Sequence, residues 1–190
     1  MAALTDEDLR AAVDERGVLR PGALSPPSRD GALTVFAQRT DATLEALVWE
    51  QHASRFFSAR VGLAVDKRAA FDDPPALDAA RVVVAPNGAA PGTRFCFARP
   101  RTDDDLHAAE VADARAGSPG LGLLARRCGY VWLVATEVEG ADDDALALLL
   151  AAIIASVVLG PILTPSGKAL MGPKSARLAL ERLARKAAPQ

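Results

Sequence analysis

Three polar side chains near the middle of the chain have the spacing that a helical metal or acid–base site would use. Asp103, His107 and Glu110 are four and three residues apart, so a helix would place two carboxylates and an imidazole on one face. Acidic residues also gather in the first turn of ordinary helices, because they complement the helix dipole. Two interpretations are therefore open. In the first, a small enzyme or a ligand- or metal-binding domain uses this face; in the second, the residues are the solvent-exposed start of an ordinary helix. The pattern favours the second.

Other candidate groups are few. His52 is the only other histidine, and it or Cys128 could join that site from a neighbouring element. The two cysteines, Cys96 and Cys128, lie in apolar strand-like segments, where free cysteines usually behave as small buried hydrophobic residues. A metal site on the helix would need such ligands from a second element. We predict no cofactor and no resident metal.

The segment 157–170 matches a phosphate-binding loop only in part. It contains the pair Gly167–Lys168, but Ile162 stands where the motif needs its first glycine and Ala169 where it needs serine or threonine. Only 22 residues follow the lysine, which leaves no room for a downstream magnesium-binding strand. Nucleotide hydrolysis is therefore not expected.

Aromatic and basic residues alternate in the segment 93–101, as they do in platforms that bind single-stranded nucleic acid. Period-2 alternation would place Phe95, Phe97, Arg99 and Arg101 on one face of a strand. The chain has a net charge of −2 and a pI near 5.7, whereas nucleic-acid binding needs clustered cations. We predict that the phenylalanines face the core and that nucleic acid is not a partner.

Apolar periodicity predicts an α+β fold, with an antiparallel or mixed sheet of four to five strands packed by helices. The predicted strands are 32–38, 81–86, 93–100 and 129–138, of which the last should be central because it is uncharged up to Glu137. Helices are predicted to start at Thr40, over 103–116, at Ser118, over 145–159 and at Pro173.

The segment 145–167 contains no charged residue, and its helical part, 145–159, ends at Gly160–Pro161. Fifteen helical residues rise about 23 Å, which is less than the roughly 30 Å of a bilayer core. The last 46 residues carry six basic side chains and one acidic one, so neither membrane orientation fits the flanking charges. We predict a fully apolar buried helix at 145–159 and no membrane insertion.

The chain is expected to comprise an N-terminal arm and one domain. Residues 1–31 are predicted to form a short helix from Thr5, followed by a linker rich in proline and glycine, and residues 32–190 a single globular domain. The N-terminus lacks the features of a signal peptide, which favours the cytoplasm. Alanine and arginine enrichment indicates a GC-rich, bacterial-type coding sequence.

Two functions follow from these patterns. The first is a cytoplasmic protein-interaction or regulatory module without a catalytic set, which would be homo-oligomeric and would bind an acidic protein through the basic helix that starts at Pro173. That helix should turn Ala176, Ala179, Leu180, Leu183 and Ala187 inward. The alternative is the small enzyme or binding domain that uses the Asp103, His107 and Glu110 face.

Overall fold

Seven strands form one antiparallel sheet in the part of the chain that the structure describes. The structure is a computed structural model, and it describes residues 11–12, 26–38, 46–63, 79–116 and 120–187. The strands are β1 (Ala32–Ala37), β2 (Ala59–Leu63), β3 (Ala79–Pro86), β4 (Gly92–Pro100), β5 (Tyr130–Ala135), β6 (Ile162–Leu163) and β7 (Leu170–Met171). Their order in the sheet is β2-β3-β4-β5-β1-β6-β7, and each neighbouring pair is antiparallel.

Five α-helices accompany these strands in the described residues. They are α1 (Ala46–Phe57), α2 (Asp103–Ala116), α3 (Leu121–Arg126), α4 (Ala145–Val158) and α5 (Pro173–Ala187). The predicted α+β class and antiparallel pairing are confirmed. The helix starts predicted at Thr40 and Ser118 and the helix opening at Thr5 lie outside the described residues.

The prediction of four to five strands was wrong, because β2, β6 and β7 were missed. β6 and β7 have two residues each, too few for a period-2 pattern to show. β2 contains Gly62, a residue that strands disfavour, and follows α1 after Ser58, which has a positive φ of 49°. β2 is held by pairing with the longer strand β3 and β6 by pairing with β1, while β7 at the sheet edge pairs with β6.

The hairpin of β3 and β4 and the central position of β5 agree with the sequence. β5 is the fourth of seven strands, between β4 and β1. Four of its six residues are buried, as are all six of β1. Strands that are buried on both faces lose the alternation of apolar and polar residues, which is why these two read as continuous apolar runs.

Helices cover both faces of the sheet. On one face, Leu33 and Val35 of β1 pack in the same cluster as α4 and as Trp49 of α1. Trp49 makes an edge-to-face contact with Trp132 of β5, with ring centroids 5.3 Å apart. On the other face, Phe36 packs in a second cluster with alanines of α2 and α3. The domain is therefore a three-layer structure with the sheet in the middle.

α4 lies on the sheet between α1 and α5, and it packs against both helices and against β1. Its residues 147–155 are all buried, whereas Leu146, Ser156 and Val157 are half-buried and Ala145 is exposed. Among the described residues, no helix combines the length and the apolar composition that crossing a membrane requires.

The C-terminal end of α4 is attached to the end of β1. The backbone N–H of Gln38 donates to the carbonyl of Val158 over 3.2 Å, and its side-chain amide donates to the carbonyl of Leu159. Gly160 follows, and a Cβ at that position would overlap the carbonyl oxygen of Phe36. Glycine is therefore required where the chain leaves the helix and passes β1.

Replacing Leu150 by alanine should destabilise the domain by about 2–5 kcal/mol, because the side chain is fully buried in α4 and its removal leaves a cavity. Leu123→Ala is the matched control, since Leu123 is exposed on α3 and its loss should cost less than about 0.5 kcal/mol. Urea unfolding measures both values. Equal effects of the two substitutions would contradict this packing.

Candidate functional site

A buried ion pair joins β4 to the start of α4. The guanidinium of Arg94 donates from Nε and Nη2 to the carboxylate of Asp144, with the shortest distance 2.8 Å. The Arg94 and Asp144 side chains are only 8% and 6% exposed. Arg94 also pairs with Glu137 at 2.9 Å and donates to the carbonyl of Thr93. A buried arginine therefore has a partner for each of its terminal nitrogens.

Asp144 also caps α4. Its carboxylate accepts hydrogen bonds from the backbone N–H groups of Ala147, at 2.9 Å, and Glu137, at 3.0 Å. Burial by itself raises the pKa of Asp144, but the hydrogen bonds from Arg94, Ala147 and Glu137 and the positive charge of Arg94 outweigh it, so that the pKa lies below its usual value. Asp144 is thus ionised at neutral pH and fixes where α4 starts.

A second buried carboxylate fixes the start of α2. The Asp105 carboxylate accepts hydrogen bonds from Arg99 of β4 at 2.6 Å and from the backbone N–H of Thr102 at 2.8 Å. In return, the Thr102 hydroxyl oxygen accepts from the backbone N–H of Asp105 at 3.3 Å. This reciprocal pair is a capping box, which the Thr-x-x-Asp pattern could have revealed. Burial by itself raises the pKa of Asp105, but the hydrogen bonds from Arg99 and Thr102 and the charge of Arg99 outweigh it. The pKa of Asp105 therefore lies below its usual value.

The predicted face of α2 is built as the solvated interpretation expects. Asp103 and His107 are exposed, and Glu110 accepts from Arg126 of α3 at 2.5 Å, so its carboxylate pairs α2 with α3. Nowhere in the described ranges does a group of three or more histidine, cysteine or acidic side chains come close enough to hold a metal. The enzyme or ligand-binding role of this face stays a prediction without a structural observation that favours it.

His52 pairs with Ser156 rather than with the α2 face. Its Nδ1 lies 2.9 Å from the hydroxyl oxygen of Ser156 in α4, and its ring meets Phe56 edge-on. The Ser156 hydroxyl also lies 2.7 Å from the carbonyl of Ile153, to which it can donate its single proton. In that arrangement Nδ1–H donates to Ser156, which links α1 to α4 and leaves serine unactivated as a nucleophile.

Cys128 is buried beside α3, where its thiol donates to the carbonyl of Leu124. Burial raises the pKa of Cys128 to about 11, and the charge of Arg101 only partly opposes this. The thiol is therefore protonated at neutral pH and is a poor nucleophile or metal ligand.

The two partial motifs have structural roles. In the loop between β6 and β7, the backbone N–H of Ser166 donates to Asp142, that of Gly167 to the carbonyl of Thr164, and that of Lys168 to the Ser166 hydroxyl. These N–H groups therefore do not form a phosphate cradle. In β4, Phe97 is buried under α2 and α3 and cannot stack on a base.

The outward side of α5 is the remaining charged surface, and we call it the α5 outer face. It comprises the exposed residues Lys174, Arg177, Leu178, Arg182 and Arg185. The inward side packs on α4 through Ala176, Ala179, Leu180 and Leu183, as the sequence predicted. Within the described part of the chain, the ion pair of α5 is the intrahelical contact of Arg177 with Glu181, 3.7 Å long. The other cations of this face therefore point to solvent.

Leu178 is the feature of the α5 outer face that helical periodicity does not explain. It lies about 200° around the helix from Ala176 and is 43% exposed. Lys174 and Arg182 are four residues away on either side, so cations flank it along the helix. The result is an exposed apolar side chain between two cations, with the carboxylate of Glu181 three residues away on the same side of the helix.

Comparison with known proteins gives no match, whether with a family model, a curated protein or a solved structure.

Replacing Asp144 by asparagine should lower stability at pH 7 by about 3 kcal/mol, because Arg94 would lose its buried counter-charge and keep only the exposed carboxylate of Glu137. The folded-state pKa of Asp144 is lowered, so its contribution is complete above the unfolded pKa of about 4 and is lost as pH falls through the folded value. Urea unfolding should therefore show the difference between wild type and variant shrinking below about pH 4. Asp143→Asn, at an exposed position, should match wild type throughout.

The cysteines offer a second test. Cys96 and Cys128 are both buried, so a thiol reagent at neutral pH should label the native chain slowly and the urea-unfolded chain at once. Fast labelling of the native chain would show that Cys96 or Cys128 is more accessible than its packing indicates. Cys128→Ser, measured in parallel, assigns the reacting group.

Proposed function

We propose that the chain is a cytoplasmic protein-interaction or regulatory module, and that it binds an acidic partner through the α5 outer face. The observation that carries the proposal is the placement of cations around Leu178. The cations of this face have exposed side chains, whereas Arg94 and Arg99 are paired with buried carboxylates inside the domain.

The apolar inward side of α5 supports the same function. α5 packs on α4, so the helix is held in place while its outer face is open to solvent. A helix that is already ordered loses little conformational entropy on binding, which favours affinity. Arginine side chains bind carboxylates bidentately, and a central apolar residue adds burial that charge alone does not provide.

The triple variant Arg177→Glu, Arg182→Glu, Arg185→Glu should bind a fluorescein-labelled acidic helical peptide, with a leucine between glutamates, at least about tenfold more weakly than wild type. Three surface charge pairs at about 0.5 kcal/mol each account for that factor, and reversal adds repulsion. Fluorescence anisotropy measures the Kd.

The matched control is Arg60→Glu, Arg115→Glu, Arg127→Glu, which makes the same change in net charge at exposed positions outside α5. It should bind as wild type does. Equal losses in both triple variants would mean that net charge alone governs binding and would overturn the role of α5. A wild type that does not bind the peptide would overturn the proposed function itself.

A further inference from the structure

The loop between β5 and α4 is acidic, whereas the α5 outer face is basic. We call residues 136–143 the acidic loop. Val138 is 65% exposed and stands between Glu137 and Glu139, while Asp142 and Asp143 follow on the same loop and are also exposed. An exposed apolar side chain is here flanked by carboxylates, as Leu178 is flanked along the helix by Lys174 and Arg182.

The acidic loop is held in one conformation. Gly140 has a φ of 74° and donates its N–H to the carbonyl of Asp30 at 2.6 Å, and the N–H of Ala141 closes a turn to the carbonyl of Val138. The Thr136 hydroxyl also donates to the carbonyl of Val138, and Asp142 accepts from Ser166. The exposed carboxylates and Val138 are therefore presented by an ordered backbone, which reduces the entropy that docking would cost.

The two surfaces do not pair with each other within one described chain. Of the loop carboxylates, Glu137 pairs with Arg94, Glu139 accepts from Ser28 and Asp142 accepts from Ser166, and in the described ranges none of them pairs with a cation of α5. As far as the described residues go, neither surface is used to pair with the other, and both are exposed to solvent.

Symmetry limits how two copies could meet. Two α5 outer faces would repel each other, and so would two acidic loops, so neither surface can form a two-fold contact with itself. The contact that matches charge and apolar residues places the α5 outer face of one copy against the acidic loop of the next. In an open assembly, such a head-to-tail contact leaves one free surface of each kind at the ends.

We propose that a second copy of this chain is a partner of the α5 outer face, and that it docks through its acidic loop with Leu178 against Val138. The inference rests on the proposed function, because it uses the same face of α5. A two-fold axis that lets each copy's α5 outer face meet the other copy's acidic loop closes the assembly as a dimer. With any other rotation copies add end to end, and the assembly closes only if it forms a ring.

The test uses two reversals on the full chain. Variant one carries Arg182→Glu and Arg185→Glu in α5, and variant two carries Glu139→Lys and Asp143→Lys in the acidic loop. All four residues are exposed, so both variants should fold, which circular dichroism checks. Light scattering of wild type should give a mass that rises with protein concentration above the 19.8 kDa of the monomer. At about 1 M salt, where the screening length is about 3 Å, the mass should fall towards that of the monomer.

Each variant alone should be monomeric, and their equimolar mixture should associate as wild type does. The intact acidic loop of variant one matches the intact α5 of variant two, and the two reversed surfaces match each other in charge. The chain carrying all four reversals should associate again, since its charges are exchanged and its net charge is that of wild type. A mixture that stays monomeric, or an associating wild type whose mass neither variant changes, would overturn the head-to-tail contact. A monomeric wild type that still binds the acidic peptide would overturn self-association alone and leave the proposed function in place.

Discussion

The arrangement of the domain depends on the ion pair between Arg94 and Asp144. A buried guanidinium is costly to remove from water, and it is tolerated here because a carboxylate and further acceptors surround it. The same carboxylate satisfies the N–H of Ala147 at the first turn of α4. One interaction therefore ties a sheet strand to the start of the central helix, and by accepting the N–H of Glu137 it also fixes the loop that leads there.

α4 in turn determines where the neighbouring helices lie. Because its residues 147–155 are buried, it needs cover from the sheet below and from α1 and α5 on its flanks. The hydrogen bonds of Gln38 hold its other end against β1. With the inward side of α5 used for this cover, its cations and Leu178 can only face solvent, so the basic surface follows from packing of the core.

Most of the acidic side chains that could have served chemistry serve the fold. Asp105 caps α2, Glu110 joins α2 to α3, and Asp142 holds the loop between β6 and β7. A carboxylate that is already satisfied by arginine or by backbone N–H groups has little capacity left for a metal or a substrate. In the described part of the chain, the α5 outer face and the acidic loop each combine exposed charges with an exposed apolar side chain. Recognition rather than catalysis is therefore the function that we propose.

The sequence by itself determined the strands β1, β3, β4 and β5, the bounds of α2 and the inward side of α5, because long apolar runs and 3.6-residue periods are local signals. The tertiary structure alone decided the short strands β6 and β7, whose two residues become strands only by pairing with a neighbour. It also decided the roles of the charged residues. Arg94 and Asp144 are 50 residues apart in the sequence. A local pattern can identify Asp144 as a helix-capping residue, but it cannot show which cation pairs with it. His52 and Ser156, 104 residues apart, meet for the same reason, since packing of α1 on α4 brings them together.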